Sequence, residues 1–232
     1  MSMRGIGTRR IGEGIGAGIG AATLALMTVT ACGVPPTVAA GTAALTSENR
    51  PIADVTGLEL ASSGRVEITT GATQALSIEA PADVLPVLTS EVTGGVLRLS
   101  VKDRTVLRNT DKIHYRLTVP ALDRIAVTGA GTVNHPDLKA SSITVEIDGS
   151  GDVVLRGTVD KQVVGISGSG TYTAPDLATR TAEITVDGSG DADVRVADTL
   201  KVDVSGSGNV TYHGSPTLQK DVSGSGDVTQ AP

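Results

Sequence analysis

Apolar and polar residues alternate along most of this chain. VTGLEL (55–60), GRVEITTG (64–71), QALSIEA (74–80), GVLRLSVK (95–102) and KIHYRLTV (112–119) place apolar side chains two apart, with turn residues between the runs. That is the period of a half-buried strand. PADVLPVLTSEV (81–92) departs from it. There Val84, Leu85, Val87 and Leu88 are spaced as on a helix, and Pro86 limits any helix to about one turn or forces an irregular strand.

From Ile125 a repeat takes over. Gly-x-Gly turns are centred on Ala130, Ser150, Ser169, Ser189, Ser207 and Ser225, at spacings of 20, 19, 20, 18 and 18 residues. Two residues before each first glycine stands an apolar residue: Val127, Ile147, Ile166, Val186, Val204 and Val222. Two residues after each second glycine stand Val133, Val153, Tyr172, Ala192, Val210 and Val228. Such a period is the signature of stacked coils that bury their apolar faces against one another. A coil of this length holds two short strands and two turns, and stacking sets equivalent strands about 4.8 Å apart. Gly129, Gly131, Gly149, Gly151, Gly168, Gly170, Gly188, Gly190, Gly206, Gly208, Gly224 and Gly226 are then the residues that round one corner and let successive backbones approach closely. The expected fold is all-β, a right-handed parallel β-helix-like solenoid with coils of about 19 residues, extended N-terminally by less regular coils over 53–120. A β-hairpin reading of VEIDGSGDVVL, giving an antiparallel sandwich, is the rival; hairpins tolerate variable loops, and these loops hardly vary.

Composition fits a thin core. The chain has three tyrosines (Tyr115, Tyr172, Tyr212) and no Phe or Trp, so Val, Ile, Leu and Ala must fill the interior. Beyond the leader the net charge is −8, from 16 basic and 24 acidic residues. Nucleic acid is excluded as a partner, because phosphate binding needs a basic patch and base stacking needs aromatic platforms.

The first residues, MSMRGIGTRR, lead into an apolar stretch that ends at VTA-Cys32. Basic, then apolar, then small residues make a secretory signal. Val29, Thr30 and Ala31 before the only cysteine resemble a bacterial lipobox, so residues 1–31 are expected to be a lipoprotein signal peptide and Cys32 the acylated residue; cleavage by ordinary signal peptidase is the plainer alternative. Stable anchoring takes more than one acyl chain. Arg9-Arg10 raises twin-arginine export against the general route. Residues 32–52, small and Pro-containing, read as a flexible tether, leaving 53–232 as the solenoid. The expected location is the cell membrane, facing out of the cytoplasm.

The run from VEITTG through LRLSVK and YRLTVPALDRIAVTGAG to the GSGDV repeats resembles the head GIN domain family, secreted or lipid-anchored bacterial proteins named as auto-transporter adhesins. The resemblance covers roughly 55–230. It implies a right-handed β-helix-like fold and an adhesin role, and it brings no catalytic residues to carry over.

Candidate chemistry flanks the corners. Thr128, Asp148, Ser167, Asp187, Ser205 and Ser223 precede them; Thr132, Asp152, Thr171, Asp191, Asn209 and Asp227 follow. Stacking would align these as two columns. Asp148, Asp152, Asp187, Asp191, Asn209 and Asp227 are therefore the candidate face for a ligand or cation, since calcium takes six to eight oxygen ligands. Against a metal ladder, neutral residues separate successive carboxylates in the second column. The plainer role is turn chemistry, with Asp and Ser bonding the corner backbone. His114, His135 and His213 are scattered, GSGSG is a corner and no nucleophile elbow, and no glycine turn opens a helix as a phosphate site would. No cofactor is expected.

These readings combine into an exported, lipid-anchored envelope protein, a non-catalytic binding or adhesion module for glycan or protein, with weak self-association through the C-terminal coil. A structural or signalling-accessory protein is the alternative. A glycan-processing enzyme using Asp148 or Asp187 is the third reading, disfavoured by short turns and the scarcity of aromatics.

Overall fold

Alternation turns into strands almost wherever the pattern is clean. The structure is a computed structural model that describes residues 36–232. In chain order the first strands are β1 (Thr37–Ala39), β2 (Leu45–Arg50), β3 (Gly57–Leu60), β4 (Arg65–Thr70) and β5 (Ala75–Pro81). A 3-10 turn at Leu85–Val87 precedes β6 (Leu88–Thr93), β7 (Val96–Val101) and β8 (Thr105–Leu107), and a second at Thr110–Lys112 precedes β9 (His114–Val119) and β10 (Arg124–Val127). Four long strands follow, one per coil: β11 (Thr132–Ile147), β12 (Asp152–Gly168), β13 (Thr171–Gly188) and β14 (Asp191–Gly206). The chain closes with β15 (Val210–His213), β16 (Thr217–Gly224) and β17 (Val228–Gln230).

The repeat stacks as a parallel β-solenoid. β10 pairs with β11, β11 with β12, β12 with β13 and β13 with β14, all parallel, and β14 continues into β15 and β16. The two apolar columns are in register: Val127, Ile147, Ile166, Val186, Val204 and Val222 pair in succession, as do Val133, Val153, Tyr172, Ala192, Val210 and Val228. All are buried except Val222, which lies on β16 with neighbours on one side only. Each buried Val, Leu or Ile contributes about 1.5–3 kcal/mol. Within each long strand a register shift, as at His135/Leu138, lets one continuous strand bend around the coil.

The corners explain the glycines. A Cβ built on Gly149, Gly168 or Gly188 would lie within 3 Å of the carbonyl oxygen of the equivalent glycine one coil earlier. At Gly151, Gly170 and Gly190 it would also strike the side chain of Val127, Ile147 and Ile166 respectively. The middle residue of the corner is free to carry a side chain, while its N–H donates to the preceding coil: Ser169 to Gly149 at 2.9 Å, Ser189 to Gly168 at 2.8 Å and Ser207 to Gly188 at 2.8 Å.

Two expectations are corrected at the N-terminal end. The region read as a tether is folded from Thr37. β1 lies parallel to β8, with Val38 beside Val106, and β2 runs antiparallel to β5. Their alternation is short and polar, so it carries no amphipathic signal; long-range pairing holds them. The stack over 53–120 is also mixed. β3, β4, β7 and β9 extend the two parallel ladders, but β6 pairs antiparallel with β7 and β5 with β9. Gly94 and Gly95 between β6 and β7 have φ of 58° and 82°, the conformation of a two-residue hairpin turn. The expected signal peptide, residues 1–31, and Cys32 lie outside the described residues. No helix among the described residues is long and apolar enough to cross a membrane.

Polar groups inside the stack are few and mostly paired. Tyr172 donates its hydroxyl to Gln162 Oε1 at 2.7 Å, Gln162 Nε2 donates to Thr179 Oγ1 at 3.1 Å, and that hydroxyl donates to the Leu177 carbonyl at 3.2 Å. Burial pushes the Tyr172 phenol pKa far up, so it stays a donor. The exceptions are Asn134 Oδ1 and His135 Nδ1, both buried without a partner. His135 is itself buried, and its Nδ1 lies 3.4 Å from Asp137 Oδ1 without hydrogen-bond geometry.

Burial lowers the His135 pKa, and the Asp137 carboxylate only partly offsets this. The unfolded chain therefore takes up the proton first, near the ordinary histidine value of about 6.5. Stability from this group is complete above that value and is lost progressively as pH falls from there through the lowered folded pKa. The slope is bounded at about 1.4 kcal/mol per pH unit. Denaturant midpoints measured from neutral to mildly acid pH should fall in the wild type and flatten in His135→Leu; parallel curves would show that His135 does not carry the effect.

Candidate functional site

Stacking turns the corner residues into one edge of the solenoid. Thr132 pairs with Asp152, Asp152 with Thr171 and Thr171 with Asp191. Asn209 then donates to Asp191 Oδ1 twice, from its backbone N–H at 2.9 Å and its side-chain Nδ2 at 3.0 Å. Asp227 completes the column through the Val210–Val228 pairing beside it, and accepts the Val228 N–H at 2.8 Å. In the other column Ser167 pairs with Asp187, Asp187 with Ser205 and Ser205 with Ser223; Asp148 stands one coil earlier.

The two columns line the two sides of the glycine corner, exposed apart from the half-buried Thr132 and Thr171. With a neutral residue between them, Asp152 and Asp191 are separated by about two strand spacings, near 9.6 Å. No group of three or more His, Cys, Asp or Glu side chains able to hold a metal is gathered among the described residues. The structure thus brings Asp191 and Asn209 into contact, leaves Asp148, Asp152, Asp187 and Asp227 spread along the edge, and gives the carboxylates turn-bonding roles at Asp191 and Asp227. His213, one of the scattered histidines, is half-buried and holds Asp193 Oδ1 at 3.0 Å.

The larger concavities lie elsewhere, at the irregular N-terminal end. One open groove of about 430 Å³ runs between Arg50, Ile52, Gln74 and Arg116; a neighbouring one of about 530 Å³ continues past Ile52 to Asp54, Ser90 and Val92. The Arg50 guanidinium floors this region, donating to the Leu88 carbonyl at 2.8 Å and the Leu85 carbonyl at 3.1 Å. Arg116 is engaged by Glu79 at 2.9 Å. Sequence reasoning missed these grooves because the first forms between β2, β5 and β9, whose pairing is antiparallel and distant along the chain, and the second between the loop after β2 and the β6–β7 hairpin. The available signal was the polar alternation of LTSENR, readable only once its partner is known.

The stacked edge can offer a ligand a row of Ser, Thr, Asp and Asn groups at fixed spacing. Asp148 and Asp187 are exposed on it. Comparison with known proteins agrees with this architecture. The profile of the family described as "Putative auto-transporter adhesin, head GIN domain" matches residues 54–216. A crystal structure of a putative adhesin from Bacteroides fragilis superposes with a TM-score of 0.68 at 22% identity, covering 82% of this chain and 99% of that one. A putative lipid binding protein from Parabacteroides distasonis gives 0.56 at 20% identity, over 84% and 100% of the two chains. A putative adhesin from Parabacteroides merdae gives 0.52 at 16%, over the same 84% and 100%. At these identities the likeness is one of fold. Among curated proteins none matches the chain.

Proposed function

Because the chain belongs to the head GIN domain family of auto-transporter adhesins, we propose that it is an exported envelope protein, anchored through acyl chains on Cys32, that binds a glycan or protein ligand without catalysis. The observation that carries this reading is the corner edge, where exposed Ser, Thr, Asp and Asn groups keep one register through every coil. A repetitive polar edge suits a repetitive polymer, because one contact can be made several times at the spacing of the coils. Each contact is weak and several together are not.

The test is retention of the folded unit, residues 35–232, on a panel of envelope polymers, matrix proteins, glycans and lipids. Lipid belongs on the panel because one protein of the same fold is described as lipid binding. Specific retention that weakens in Asp152→Ala/Asp191→Ala supports the reading. Retention lost in chelator would bring a cation to the edge, and uniform failure to bind would favour the accessory role. Acylation is tested separately, by the mass of the mature N-terminal peptide and its loss in Cys32→Ala.

A further inference from the structure

Exposed large hydrophobic side chains are concentrated at the N-terminal end. Val38, Leu45, Val92 and Val106 all lie in its strands, and the remaining one among the described residues is Val222. Two of these touch. Val38 on β1 and Val106 on β8 are register partners, 54% and 47% exposed, while the alternate residues Ala39 and Leu107 pack inward against the core. The ribbon is held firmly, with the Thr37 N–H donating to the Arg104 carbonyl at 2.9 Å, the Arg108 N–H to the Ala39 carbonyl at 3.0 Å, and Asn109 Nδ2 to the Ala40 carbonyl at 2.8 Å. An apolar pair on the outer face of a two-stranded ribbon leaves about half of its surface in water.

The surrounding charge is unlike the rest of the molecule. Exposed Lys102, Arg104, Arg108 and Lys112 flank the pair, against Asp103 and Asp111, and none of the four bases enters an ion pair among the described residues. Residues 36–120 carry eight basic and nine acidic side chains, and residues 121–232 carry eight and fifteen. The domain is therefore polarised, near neutral at the end where the chain enters and strongly acidic along the regular coils. The entry point is also close to Cys32. Thr37 is five positions further along the chain, a reach of at most about 18 Å for an extended chain.

We infer that the β1–β8 ribbon is the face on which the domain rests against an anionic lipid bilayer. The inference rests on the reading of Cys32 as the anchor. Val38 and Val106 enter the headgroup boundary, Arg104 and Arg108 meet lipid phosphates on either side of Val106, and the acidic coils are held away from the negative surface. Basic side chains near such a surface are each attracted individually, within about a Debye length. Two valines and four bases make a weak contact alone. A tether of a few residues raises the effective concentration enough for it to form.

The test supplies the tether artificially, so that it does not depend on acylation. The folded unit, residues 35–232, has no cysteine, so Val106→Cys accepts a single environment-sensitive nitrobenzoxadiazole label, and Gln219→Cys on exposed β16 serves as the distal control. Each is attached by an N-terminal hexahistidine to vesicles of phosphatidylcholine and nickel-chelating lipid, with or without phosphatidylglycerol. The expected result is a several-fold rise in emission at Val106→Cys on phosphatidylglycerol vesicles, suppressed by high salt and by Arg104→Glu/Arg108→Glu, with no rise at Gln219→Cys. No rise at Val106→Cys on vesicles shown by flotation to carry the protein overturns the inference, as does an equal rise at both positions. Failure of the native chain to acquire acyl chains would appear in the mass of the mature peptide and leave the label unchanged, so the two failures are separable.

Discussion

Gly188→Val is expected to abolish cooperative folding of the solenoid or to destabilise it by more than about 4 kcal/mol, the range reserved for severe single substitutions. Two independent costs meet there. Gly188 has φ of 147°, a conformation β-branched residues rarely adopt, and a Cβ would lie 2.5 Å from the Gly168 carbonyl oxygen. That oxygen accepts the Ser189 N–H at 2.8 Å, so pushing it aside breaks an inter-coil bond. No neighbouring side chain can yield in compensation, because the obstacle is backbone. The control is Gly165→Ala on β12, where an added Cβ meets nothing within 4 Å and φ is not positive. It should be neutral or stabilising by up to about 1 kcal/mol, through the unfolded state. Urea denaturation of both variants checks the pair, and similar effects at the two positions would refute the stacking explanation of the repeat.

Tyr172→Ala should cost about 3–5 kcal/mol, as truncation of a buried aromatic does, and Tyr172→Phe about 1–3 kcal/mol. The second figure is the informative one. Removing the hydroxyl leaves packing unchanged but strands the Gln162 carbonyl oxygen, which the phenol approaches at 2.7 Å in the middle of the stack. Gln162 sits where β11, β13 and β14 place Ile143, Ala182 and Leu200, so its amide has no route to water. If the cost comes from the orphaned amide, Gln162→Leu/Tyr172→Phe should recover much of the loss of Tyr172→Phe alone. Additive losses in the double variant, measured by denaturant midpoints, would show that the pair acts only through packing.

The corner repeat and both apolar columns were legible because a stacked coil repeats its constraints: whatever Ile147 must satisfy, Ile166 and Val186 must satisfy too. Gln162 broke the pattern silently, since one polar residue in an apolar column carries no sign of the Tyr172 hydroxyl that satisfies it. The N-terminal strands were partly legible. β3, β4, β7 and β9 alternate clearly, but the hairpin at Gly94-Gly95 was read as part of a coil, and β1 and β2 depend on partners 68 and 36 residues away at Thr105 and Pro81, and sequence spacing does not report such pairings. The candidate edge was readable as columns. Its internal bonds, Asn209 to Asp191 above all, follow from stacking geometry at a level the sequence does not resolve.

The stacking of coils also fixes how the molecule bears load. If one end is held at a membrane and the other pulled by a bound surface, tension runs along the solenoid axis, parallel to the hydrogen bonds that join neighbouring coils. Those interfaces then act as links in series, and the weakest one sets the strength of the whole. Its place is visible in the register: β10 and β11 meet β3 and β4 only over Arg124–Val127 and Thr132–Asn134, whereas the long strands β11 to β14 pair along most of their length. Under force the stack would part there first, dividing the irregular N-terminal strands from the regular coils that carry Asp191, Asn209 and Asp227.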